Sequence, residues 1–326
     1  MEGTKASRAK LKLALILGMG SIGIVILFIL SLTTGVMDIS FHEAMSGLWN
    51  LIQNGGEHTD NKELVLWQLR IPRALGVIAV GIGLSVAGAV MQALIRNPLV
   101  DPYITGVSSG AGLGATLAVL AGVSILGMTT YSLPIIAFIG AVGAFMFTMA
   151  LAEAAGGRPI SYVLGGVIIS IAMQAGTTLL MYFNADRLHG VLFWLFGSFA
   201  YLDWSSVKLI VLVVAVLSLV MLLFAKEFNV ILLGDEQARQ LGMNVRSFKT
   251  VMFVLVSALA AVCVAFTGVI GFVGLIVPHL VRMLIGGDHR LLLPASMVLG
   301  ANILLVADIV CKTVVAPSEL PIGAII

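Results

Sequence analysis

Asp308 lies within the apolar run 291–312, where a carboxylate without a partner is expensive. Such a residue could relay protons, but its place toward one end of the run favours a structural, hydrogen-bonding role. His279 follows Pro278 in the string VPHLVR, and its ring could ligate a haem iron; a structural use is favoured here too. Cys263 and Cys311 fall in or beside apolar runs without metal-ligand spacing, the pattern of buried structural thiols. An intramembrane enzyme needs a constellation such as HExxH, or GxSG paired with a histidine, and neither His279 nor His189 has such neighbours. No Gly-Lys-Ser or Gly-Lys-Thr occurs anywhere, so the chain has no phosphate-cradling loop of the Walker A type. The chemistry available is that of position and packing, and any ATP-derived energy must enter from another chain.

The elements that hold these residues are set by lipid. Of 326 residues, 60% are hydrophobic and 10% charged, with mean hydropathy +1.10. Soluble domains carry roughly a quarter charged residues, so most of this exterior must face hydrocarbon. Apolar runs at 13–34, 70–95, 104–122, 133–154, 161–183, 204–224, 250–269, 271–285 and 291–312 read as spans. Thirty-six glycines suit helices that pack closely in lipid. The fold class is therefore an all-α integral membrane protein, and residues 1–326 form a single transmembrane domain. The first run, preceded by Lys5, Arg8, Lys10 and Lys12, is too long for a signal-peptide core and reads as a retained span. With the N-terminus inside, twelve lysines and arginines fall on the inner side and six on the outer, which obeys the positive-inside rule.

Three loops carry structure of their own. In the outer stretch 35–69, Phe41, Met45, Leu48, Trp49 and Ile52 form an apolar stripe at helical spacing, so a short helix lies along the interface. The outer stretch 184–203 holds a second short, aromatic half-helix within His189 to Tyr201. The inner stretch 225–249 predicts a helix capped by Asp235 and ended by Gly242 in the left-handed conformation, with Asn244 capping the next turn. A capped helix against the inner face makes a compact knob suited to docking a soluble partner.

Several strings then resemble one family. RIPR at Arg70–Arg73 and GLSVAGAVMQALIRNPLVDPYITGVSSGAGLG from Gly83 are similar to the FecCD family of ABC importer permeases. So are LLGDEQARQLGM from Leu232, GVIGFVGLIVPHLVR from Gly268, DHRLLLPAS from Asp288 with ADIV ending at Val310, and ELPIG at Glu319–Gly323. The resemblance implies about ten transmembrane helices, the last following ELPIG. The sequence stops at Ile326, so that helix is expected to be truncated here. It also implies a prokaryotic inner-membrane permease that carries a metal chelate, ferric siderophore foremost, then haem or cobalamin. The implied partners are a second copy of the chain, two ATPase subunits, an extracytoplasmic substrate-binding protein and the bilayer, with no nucleic acid. No cofactor is expected in this chain; ATP and magnesium would be bound by the ATPase.

Roles follow by resemblance. Gly234, Glu236, Ala238, Arg239, Leu241 and Gly242 would contact the ATPase, the small residues permitting close approach and the charged pair meeting its rim. Arg70, Arg73 and Lys312 would receive acidic residues of the binding protein, where complementary charge steers docking; plain snorkelling at helix ends is the competing reading for the arginines. Asn97 and Leu99 would form a cytoplasmic gate, with Ile160 and Ser161 opposite in RPIS. The fifth span would line the pathway through Ser170, Met173, Gln174, Thr177, Thr178 and Met181, although Ser and Thr can equally serve helix packing. Arg187 could attract haem propionates. An ion-coupled secondary transporter is the alternative, but it would need several ionisable groups in the membrane.

Overall fold

The computed structural model describes residues 2–53, 56, 60–122, 129–185 and 188–326, and no strand occurs among them. The helices in chain order are α1 (Glu2–Thr33), α2 (Phe41–Gln53), α3 (Asn61–Val65), α4 (Ile71–Ile95), α5 (Val107–Ala121), α6 (Thr129–Ala154) and α7 (Pro159–Phe183). They continue as α8 (Leu188–Leu195), α9 (Trp204–Leu223), α10 (Ala225–Leu232), α11 (Asp235–Gln240), α12 (Val245–Thr267), α13 (Val273–Ile285) and α14 (His289–Thr313). Seven segments are long and apolar enough to cross a membrane, and α5 and α13 are shorter apolar helices. Each of the nine expected spans therefore coincides with a helix. Arg187 lies outside the described residues.

The bundle is built around α4, which packs against α9, α12, α13 and α14. Its composition explains this: Gly81, Gly88, Ala87, Ala89 and Ala93 let neighbouring backbones approach closely. A Cβ at Gly88 would collide with the Gly274 carbonyl of α13, and one at Gly110 on α5 with Gly140 on α6. The opposite case is α1, whose Leu15, Met19, Ile22 and Ile26 are exposed as lipid-facing residues must be. It is held to α14 through Gly20 and Gly23, and the Asn302 amide donates to the Gly20 carbonyl (3.0 Å).

The second span begins earlier than its apolar run suggests. Helix continues from Asn61 to Ile95, with a π turn over Leu66–Arg70. Pro72 has no N–H to donate and its ring would clash with the carbonyl four residues back; the wider turn, closed by Ile71 N–H to Leu66 O, accommodates it. The α2 stripe divides between two environments. Met45 and Leu48 pack on a small core with Leu32, Leu66 and Ile71, while Phe41, Trp49 and Ile52 point outward. An apolar outward face beside a bilayer suits an interfacial helix. The 319–323 string docks by backbone: Ile322 N–H donates to Gly197 O (3.1 Å) and Gly323 N–H to Phe196 O (3.0 Å).

Candidate functional site

The two ends of α4 carry the polar machinery. At its C-terminal end, Arg96 caps the helix in the left-handed conformation (φ 56°). The Asn97 side chain then accepts the Leu99 N–H (3.0 Å), which fixes a tight turn that leaves Leu99 73% exposed. The next turn is capped by Asp101, which accepts the Tyr103 N–H (2.8 Å); burial pushes its carboxyl up to about 6. Beside this turn stands α11. Asp235 is the first residue of α11 rather than its cap, which corrects the expectation; Gly234 (φ 118°) takes the cap position. The Asp235 carboxylate instead holds the α12 residue Lys249, both oxygens 2.8 Å from Nζ, and lies 3.3 Å from Arg96 Nη2. Gly242 (φ 87°) ends the helix and Asn244 accepts the Ser247 N–H (3.1 Å), both as anticipated.

This end presents a definite face. Leu241 is 66% exposed, Leu233 60%, and Glu236 and Arg239 form an exposed pair 3.5 Å apart. Ala238 points the other way: it is fully buried against Ile231 and Val245, so its side chain anchors the knob. The preceding helix α10 is tied down too, since Asn229 donates to Asp288 (2.7 Å) and accepts the His289 N–H (2.9 Å). With Arg290 on its other side, the Asp288 carboxyl is held down at about 2. A cleft of about 700 Å³ separates the α6–α7 turn from α11 and α12, lined by Gly156, Gly157, Tyr162, Arg246 and Lys249 among others. Of the two residues expected at the gate from α7, Ile160 is exposed, while Ser161 is buried with its hydroxyl on the Ala155 carbonyl (3.2 Å).

The opposite end is closed on itself. Arg70 is 6% exposed and donates to the carbonyls of Leu32 (2.5 Å) and Met37, so it locks the end of α1 rather than offering a free cation. Arg73 donates to Asp308 (2.8 and 3.0 Å) and to Glu319 (2.8 and 2.9 Å). Lys312 lies 2.8 Å from the other Asp308 oxygen and donates to the Ser31 hydroxyl (2.9 Å). All three expected docking residues are therefore engaged internally, with Arg70 and Lys312 buried. The structural reading of Asp308 holds: it is the carboxylate that buried Lys312 and half-buried Arg73 require.

Helix α7 contributes a broad exposed face through Leu164, Ile168, Ile171, Leu179 and Tyr182. Gln174 and Thr178 lie on that face, and Ser170, Met173 and Met181 are half-buried at its edges. Thr177 does not line it: the residue is buried and its hydroxyl returns to the Met173 carbonyl (3.0 Å). His279 is exposed on α13 and makes no hydrogen bond among the described residues, so the structural role anticipated for it has no support.

The profile of the FecCD transport family matches residues 23–326. The chain belongs to the FecCD transport family. It is similar to the hemin transport system permease of Yersinia pestis, 37% identical over 311 residues, covering 95% of this chain and 90% of that one. It is also similar to the vitamin B12 import system permease of Serratia proteamaculans, 36% identical over 309 residues, with coverage of 94% and 87%. A solved structure described as an inward-facing conformation of a metal-chelate type ABC transporter superposes with TM-score 0.81 at 31% identity, covering 96% of this chain and 94% of that one.

Several residues of this FecCD permease that tie its sites together escaped the sequence reading. Arg96 and Lys249 grip α11 through Asp235, yet each reads in the sequence as an ordinary inner-side cation. Gln92, buried on α4, donates weakly to the Gly274 and Leu275 carbonyls (3.4 and 3.3 Å) and accepts from Arg282 (3.0 Å), pinning α13 to α4. Glu319 was read as part of a signature, not as the second partner of Arg73. One signal was available: Asp308 and Lys312 are spaced i, i+4 on a helix, a pairing distance.

Proposed function

We propose that the chain is the membrane-embedded subunit of a binding-protein-dependent ABC importer for a metal chelate, driven by a separate ATPase that binds ATP and magnesium. Two copies enclose the pathway, with the α7 faces and their Gln174 and Thr178 turned toward it. The α11 end faces the cytoplasm, in keeping with the twelve-to-six excess of inner lysines and arginines. The family match along nearly the whole chain carries the reading. The names of the hemin and vitamin B12 relatives support a metal chelate as cargo, and ferric siderophore belongs to the same chemical class.

The knob makes physical sense of the division of labour. A short helix closed by Gly242 at its C-terminus and ion-paired to the body moves as a unit, whereas a slack loop would absorb a push. Its Leu241, Leu233, Glu236 and Arg239 form an apolar patch with a polar rim, suited to a cleft on the ATPase. The ion-coupled alternative gains nothing from Asp308, which is already neutralised by Arg73 and Lys312.

Reconstitution tests the reading. Proteoliposomes holding the permease, its ATPase and its binding protein should accumulate one of ferric siderophore, hemin or cobalamin only when ATP is supplied on the ATPase side. Uptake that follows a proton or sodium gradient and ignores ATP would overturn it.

A further inference from the structure

Helix α11 has to be joined to something if its displacement is to matter inside the membrane. Among the described residues, Asp235 makes the only ion pairs between α11 and the rest of the chain. Those pairs reach two different elements: Lys249 on α12, at 2.8 Å, and Arg96 at the end of α4, at 3.3 Å. The three side chains are 28%, 10% and 34% exposed in the order Asp235, Lys249, Arg96, so solvent screens them only in part.

Arg96 is the informative member. It adopts a left-handed φ of 56° at a helix C-terminus, a place that glycine fills without strain and a side chain does not. Its own N–H and that of Asn97 return to Ala93 and Gln92 carbonyls (3.2 and 3.1 Å), so its backbone belongs rigidly to α4 while its guanidinium belongs to α11. The residues that follow at once are Asn97 and the exposed Leu99, locked in one turn. An arginine here puts up with backbone strain that glycine would relieve, and the ion pair is what glycine could not supply.

We propose that Arg96, Asp235 and Lys249 form the joint through which movement of α11 is passed to the Asn97–Leu99 turn at the end of α4. The joint rests on the reading of α11 as the element that docks the ATPase. Lys249 holds Asp235 to α12 as a fixed hinge, and Arg96 is the moving arm, its pair with Asp235 longer and more exposed. Arg96 is a positioning residue: it touches neither cargo nor nucleotide.

The test uses the assembled permease–ATPase complex with Leu99→Cys as reporter; the native Cys263 and Cys311 are buried and stay unreactive. A maleimide should label this cysteine at rates differing at least fivefold between nucleotide-free and MgATP–vanadate-trapped complexes, the low end of ordinary coupling. Arg96→Gly relaxes the backbone while removing the charge; it should abolish that difference, as should Asp235→Asn, and Arg96→Lys should restore it. A merely structural Arg96 would leave the difference intact in Arg96→Gly. Persistence of the difference in Arg96→Gly or in Asp235→Asn, or its absence from the parent complex, overturns the joint. The docking reading is tested separately by Leu241→Asp. Loss of ATPase association there, with the vanadate response surviving Arg96→Gly, sinks the joint alone. Unaltered association in Leu241→Asp sinks the docking reading.

Discussion

Each end of α4 holds an aspartate, and the two are treated oppositely. Asp308 sits among cations: Arg73 and Lys312 both lie 2.8 Å from its oxygens, and the cluster closes through Glu319. Asp101, past the other end, accepts a backbone N–H and is paired with no cation among the described residues, and desolvation raises its carboxyl to about 6. The first end has spent its charges on one another and is held shut by them. The second keeps its ion pairs at the margin, around Asp235, and among the described residues leaves the Asp101 carboxyl, just after the Asn97–Leu99 turn, without a cation. A closed, neutral end suits a fixed scaffold; an end with marginal pairs suits parts that move.

The largest effect should come from breaking the closed end. Asp308→Leu strands Lys312 and half of Arg73 in a buried site, at a cost of about 3–5 kcal/mol. Melting of the purified permease in detergent should show it, and adding Lys312→Met should recover much of the loss, since a buried pair replaced together is tolerated far better than one partner removed. A mild Asp308→Leu phenotype would mean the cations find water, and that this end is not closed.

That contrast was only partly legible in the sequence. The spans were, because lipid admits few alternatives and hydropathy reports them directly. The cap at Asn244 and the left-handed Gly242 were legible too, because each is a local preference of one residue type. The partners of Asp308 and Asp235 were not: Arg73 is 235 residues from Asp308, and pairing across such a distance is fixed by helix packing. For the same reason Arg70, Arg73 and Lys312 passed as free outer cations. The resemblance implied docking, whereas burial depends on which carbonyls and carboxylates the fold brings alongside. The anchoring side chain of Ala238 was not legible, because a small residue serves equally as a contact and as an anchor.

Next in size is a break at the open end. Leu241→Asp alters an exposed side chain, so melting should move by less than about 0.5 kcal/mol. Association with the ATPase should nevertheless weaken about thirtyfold, roughly 2 kcal/mol, as for an apolar residue central to an interface. Binding measured by titration in detergent separates these two outcomes.

Asp101→Asn sharpens the comparison through pH. With the folded carboxyl near 6 and the unfolded one near 3.8, the charged form is the one burial disfavours. Stability of the parent should therefore fall as pH rises from about 4 to about 6 and stay flat above that. Asparagine keeps the cap acceptor and has no charge to desolvate, so the variant should be more stable by about 1–2 kcal/mol at pH 7.5 and indistinguishable at pH 4. Melting curves at the two pH values give the answer, and a gain at both would remove the charge from the explanation.

The smallest effect belongs to Glu319, and it decides how far the closed end extends. Its carboxylate is 38% exposed, and Arg73 keeps Asp308 when it is gone. Glu319→Gln should thus cost less than about 1 kcal/mol, the range of exposed pairs. It also frees one edge of the Arg73 guanidinium toward the side where an acidic binding protein would approach. Association with that protein should strengthen two- to threefold at low salt and return to the parental value near 0.5 M, where screening reaches only about 4 Å. A stability loss matching Asp308→Leu would instead place Glu319 inside the neutral core, and Arg73 would then have no edge to offer.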